Sequence, residues 1–168
     1  MNRNNMIGGT LLISVFVVLQ STILSKIGIN GVTPDFALII LVFISNSSGP
    51  IKGQGIGFLT GLIQDLISTS PLGFNSLVRT LIGFIFGKLR GKMFLDSILL
   101  PVLFVLSATL FKQLFSSVIV MVFMPDSGIQ FFDRSFLIEL GLNAFFSPFL
   151  FALVKLLKLY NTSYKDSY

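Results

Sequence analysis

Apolar stretches long enough to cross a lipid bilayer recur along this chain from Met6 to Leu159, separated only by short polar turns. A helical span needs about 20 predominantly apolar residues. A water-soluble fold also needs a polar surface, and here 53% of residues are hydrophobic, 11% are charged and the mean hydropathy is +0.89. That leaves too little polar material to cover a core of this size. Lipid is therefore the expected solvent for most of the chain, and the apolar runs read as an all-α, polytopic bundle.

The composition narrows the chemistry. There is no histidine and no cysteine. Disulfides, thiol chemistry, His/Cys zinc sites and histidine-ligated haem are excluded. General acid–base work would fall to Asp35, Asp65, Asp96, Asp126, Asp133, Glu139 and Asp166. No phosphate-cradling G-x-x-x-x-G-K-[ST] loop occurs. The net charge of +5 comes from basic residues in short turns between apolar runs. That placement orients a membrane protein and does not suit nucleic-acid binding. No enzyme activity, cofactor or metal is expected, and an intramembrane aspartyl protease would need two facing aspartates where only Asp65 is well placed. The nineteen phenylalanines read as lipid-facing filler.

The first apolar run, Met6–Leu19, follows a short polar start with Arg3 and resembles a signal sequence, but Gln20-Ser21-Thr22-Ile23-Leu24 offers no small-x-small cleavage site. A retained first helix over 6–24 is expected. Gly28, Asn30, Gly31 and Pro34 then mark a turn. A short second helix covers 35–47, with Asp35 suited to its start by the positive end of the helix dipole. The remaining helices are expected over 51–68, 75–89, 97–124 and 136–159. The fifth is long enough to require tilt or a kink, with Pro101 near its start. The tail 160–168 is polar and holds all three tyrosines. The whole chain, 1–168, reads as one membrane domain.

Basic residues set the orientation. With six spans and a cytoplasmic N-terminus, Arg3, Lys52, Lys88, Arg90, Lys92, Lys155, Lys158 and Lys165 lie inside, against Lys26 and Arg134 outside. The excess of lysine and arginine in short loops favours both termini in the cytoplasm. A re-entrant pair formed by helices two and three is also compatible, because it moves only Lys52.

Three constellations stand out within the spans. Gly53, Gly57 and Gly61 recur every four residues on helix three, and Gly83, Gly87 and Gly91 do so on helix four. Such rows let two helix backbones approach closely. Asp65 and Arg79 fall at the same end of that hairpin, and the cost of unpaired charge in lipid predicts an ion pair between them. On helix five, Thr109, Lys112, Gln113 and Ser116 share one face, and Glu139, Asn143 and Ser147 form a stripe on helix six. Lys112 lies near the middle of its run and needs a partner, with Glu139 or Asn143 as candidates.

The central third resembles a known family. Pro34-Asp35, Gly49-Pro50, Gly53…Gly57-Phe58-Leu59…Gly61-Leu62-Ile63-Gln64-Asp65-Leu66, Pro71-Leu72-Gly73-Phe74-Asn75-Ser76-Leu77 and Gly83…Gly87 follow the order found in the rod shape-determining protein MreD family. Members often carry arginines just before the Gly-Pro turn, where this chain has Asn46, Ser47 and Ser48. The resemblance implies a non-enzymatic protein of the bacterial cytoplasmic (inner) membrane, part of the elongation machinery that guides peptidoglycan synthesis and cell shape. It implies binding to MreC, a bitopic protein, in an assembly with the actin-like MreB, the glycosyltransferase RodA and a class B penicillin-binding protein. It also implies an architecture similar to the substrate-binding subunits of energy-coupling-factor transporters, with six helices and a short second one. A rival reading, a subunit that captures a vitamin-like ligand, rests on Lys112, Gln113, Glu139 and Asn143 lining a pocket.

Overall fold

The computed structural model describes residues 3–22, 28–90, 99–123 and 133–156. The expected end of helix one at Leu24, Lys26, Lys92, the loop 125–132 and the tail with its tyrosines lie outside these residues. The described chain is all-helical, with helices α1 Arg3–Thr22, α2 Phe36–Ser48, α3 Pro50–Ile67, α4 Phe74–Lys88, α5 Leu99–Phe123 and α6 Arg134–Leu156.

α2 is the axis of the fold. Its residues Phe36–Ile44 are apolar without a break, so no side of the helix suits a polar environment. All of Ala37–Asn46 are buried, and α2 touches each of the other five helices. Around it, α1, α3, α4, α5 and α6 follow one another as neighbours. With 13 residues, α2 is about 20 Å long, short of a hydrocarbon layer of about 30 Å. Being sheathed in protein, it has no need to match that thickness.

The outer helices show the opposite pattern. Leu103, Leu110, Leu114, Val118 and Met121 on α5 are exposed, as are Leu137, Phe145 and Phe149 on α6. Among the described residues, α5 and α6 are the two helices long and apolar enough to cross a membrane. An apolar exterior with polar and charged side chains buried inside, among them Asp35, Arg79 and Asn143, fits a lipid environment.

Helix ends follow from local chemistry. α2 and α3 are joined by Gly49 alone, whose φ of 92° suits glycine, and Pro50 opens α3 where its missing N–H costs nothing. Pro101 falls in the first turn of α5, where proline is tolerated. Pro148 lies inside α6, a proline that falls outside the expectations above. It cannot bond the carbonyl of Ala144, and the Ser147 hydroxyl donates to that oxygen instead at 2.9 Å.

α3 and α4 form an antiparallel hairpin with direct backbone contact. A Cβ placed on Gly53, Gly57, Gly61, Gly83 or Gly87 would come within 3.0 Å of backbone on the facing helix. Gly53 faces Gly83, Gly57 faces Arg79, Gly61 faces Ser76, and Gly87 faces Pro50. Gly55, off this seam, has nothing near its Cβ position.

Candidate functional site

The register of that seam separates Asp65 from Arg79. Gly57 faces Arg79, so Asp65, two turns further along α3, is level with the turn before α4. The two residues are offset by about 12 Å along the hairpin axis. The expected Asp65–Arg79 pair is therefore replaced by two separate arrangements.

Asp65 caps α4. Gly73, in the left-handed conformation, occupies the N-cap position and has no side chain to satisfy the free N–H groups of the first turn. The buried Asp65 carboxylate supplies that function from α3. Oδ2 accepts from the Gly73 N–H at 3.0 Å, the Ser76 N–H at 3.1 Å and the Ser76 hydroxyl at 2.8 Å. Oδ1 accepts from the backbone and side-chain amides of Asn75, both at 2.9 Å. A carboxylate at a helix N-terminus is also favoured by the helix dipole.

Arg79 points inward to Asp35. Its Nη2 donates to Asp35 Oδ1 at 2.9 Å, and its Nε donates to Gln64 Oε1 at 2.7 Å. Nη1 is buried without a hydrogen-bond partner. Asp35 is the N-cap of α2 and accepts from the Leu38 N–H at 2.9 Å, as its position before the helix predicts. Its second oxygen accepts from Lys112 Nζ at 2.9 Å, and Lys112 also pairs with Glu139.

Asn143 locks this cluster to the backbone. Its Oδ1 accepts from the Asp35 N–H at 2.7 Å, while its Nδ2 donates to Thr109 Oγ1 at 3.1 Å and to Glu139 Oε1 at 3.4 Å. The Thr109 hydroxyl in turn donates a hydrogen bond to the Val105 carbonyl at 2.9 Å. One unit thus draws on Asp35 of α2, Gln64 of α3, Arg79 of α4, Thr109 and Lys112 of α5, and Glu139 and Asn143 of α6. Its two cations and two carboxylates balance. Asp35 and Arg79 are the deepest members, each with 4% side-chain exposure, while Lys112 at 28% and Glu139 at 17% lie nearer the edge.

Lys112, Glu139, Asn143 and Thr109 of the two predicted stripes come together here. Gln113 and Ser116 are half-buried beside them on α5, and the fully buried serine of that helix is Ser117. Sequence reasoning missed Asp35 as the hub and Gln64 as a ligand of Arg79. A signal for Asp35 existed: it opens a helix whose next nine residues are apolar, so its carboxylate travels with that helix into the interior.

Chemically, the cluster holds helices. Each carboxylate already accepts from a neighbouring cation, and among the described residues no group of three or more metal-ligating acidic side chains is found. At the opposite end of α2, Asn46 donates from Nδ2 to the Leu89 carbonyl at 2.6 Å, tying the exit of α4 to α2.

The chain matches no curated protein and no solved structure. Residues 3–157, nearly its whole length, match the family model for the rod shape-determining protein MreD, and the chain belongs to that family.

Proposed function

We propose that this protein is a non-enzymatic scaffold of the bacterial elongation complex, a six-span protein of the cytoplasmic membrane with both termini in the cytoplasm. It acts as one membrane unit and binds an MreC-like bitopic partner, in an assembly with MreB, RodA and a class B penicillin-binding protein. Its role in rod shape determination follows from its family. The observation that supports scaffolding is the closed, charge-balanced cluster of Asp35, Arg79, Lys112 and Glu139. Those groups fix four helices in register and leave an apolar outer surface for helix partners and lipid. A vitamin-binding transporter subunit would need Lys112, Glu139 and Asn143 turned toward a ligand, and each is bonded within the protein.

Pull-down of the full-length protein from native membranes tests this reading. Recovery of a single-span partner together with cell-wall synthesis proteins supports it. Recovery of a tightly held small molecule and no protein partner contradicts it.

A further inference from the structure

The end of the α3–α4 hairpin opposite Asp65 carries a group of basic residues. Lys88 closes α4, Arg90 follows in the adjoining turn, and Lys52 lies in the first turn of α3. Among the described residues the carboxylates are Asp35, Asp65, Asp133 and Glu139, none of them at this end. The platform beneath the cations is firmly built. Gly87 is pressed against Pro50, the Asn46 amide holds the Leu89 carbonyl, and the Arg90 N–H donates to the Gly87 carbonyl at 3.2 Å. The Arg90 side chain lies over Gly49, with its Cδ 3.5 Å from the position a Cβ would take there.

The surface next to these cations is apolar. Leu77, Leu81 and Phe84 are exposed along one face of α4, and Lys88 continues that face at the same helical spacing. The Lys88 ammonium sits 4.7 Å from the centre of the Phe84 ring. A strip of exposed hydrocarbon that ends in the exposed Lys88, with a second exposed cation, Arg90, in the turn that follows, matches a molecule with an acyl chain and an anionic head.

We propose that Lys88 and Arg90 bind the phosphate of an anionic membrane phospholipid, with its acyl chain along Phe84, Leu81 and Leu77. An acidic protein segment would satisfy the cations but not the strip. This site rests on the membrane reading above and is independent of which proteins the chain recruits.

Native mass spectrometry of the detergent-released full-length protein tests the site, with phosphatidylglycerol and phosphatidylcholine of identical acyl chains as probes. Wild-type protein is expected to retain phosphatidylglycerol in preference. Each basic residue near an anionic surface contributes about fivefold in affinity, so Lys88→Gln with Arg90→Gln should weaken retention about thirtyfold. Lys88→Gln alone changes one exposed side chain and should lose about fivefold, which keeps the test decisive if the double variant folds poorly. Lys155→Gln, an exposed cation at the end of α6, should retain lipid as the wild type does. Equal retention of the two lipids by wild type, unchanged retention in Lys88→Gln, an equal loss in Lys155→Gln, or displacement of the lipid by a soluble acidic peptide would each overturn the proposal. A chain that stays soluble without detergent would instead overturn the membrane reading itself.

Discussion

Asp35 and Asp65 are both buried, and the carboxylate of each caps the start of a helix, yet the protein satisfies them by different means. Asp65 is held by neutral donors from Gly73, Asn75 and Ser76, all within eleven residues of it. Asp35 is held by two cations and an asparagine from positions 44, 77 and 108 residues away. The first arrangement is local and closes a hairpin. The second is long-range and fastens the hairpin to α2, α5 and α6. Removing the first should loosen one turn, whereas removing the second should loosen the bundle.

The largest effect is expected at Asp35. Asp35→Asn leaves Arg79 and Lys112 facing one another with only Glu139 to offset them. Breaking a buried pair by deleting one partner costs about 3–5 kcal/mol. Thermal unfolding in detergent should show a marked loss of stability, and a near-wild-type midpoint would remove the hub role. Next comes the seam itself. Gly57→Leu would drive a side chain into the Arg79 backbone and should cost at least about 1–3 kcal/mol, visible as a reduced folded yield and abnormal cell shape. Gly55→Ala meets open space and should be nearly silent in the same assay. If the two glycine variants behave alike, the hairpin contact is wrong.

Asp65→Ala should cost less than Asp35→Asn, about 1–2 kcal/mol, as expected for a lost N-terminal cap. Hydrogen exchange can localise the damage. Protection should fall in the turn 68–76 and persist in α5 and α6. Smallest is Ser147→Ala, which frees the Ala144 carbonyl opposite Pro148 and should cost about 1 kcal/mol.

The same contrast explains how much of the fold is legible in the sequence. Continuous apolar runs and Gly/Pro punctuation made the all-helical class and the six helices legible, because both depend on neighbours in sequence. The glycine rows named the close faces of α3 and α4 for the same reason. That Asp65 and Arg79 share a hairpin end suggests a pair, but depth within a hairpin depends on register. Register was set by Gly57 against Arg79 and Gly61 against Ser76, which no spacing rule reveals. The Asp35 hub was harder still. Its partners come from α4, α5 and α6, and their approach depends on how these three helices stack around α2. What sequence did indicate was need: Lys112 lies mid-helix and had to find a carboxylate. It found two, Glu139 from the facing stripe and Asp35 from the centre of the fold.

A pair of double-mutant cycles on unfolding stability tests the central claim most directly, one for Asp35 with Arg79 and one for Asp65 with Arg79. Alanine is the replacement in both, and the full-length protein is kept in a single detergent. The structure predicts a coupling of at least about 1.5 kcal/mol for Asp35 with Arg79 and within about 0.5 kcal/mol of zero for Asp65 with Arg79. Strong coupling in the second cycle with none in the first would contradict the account.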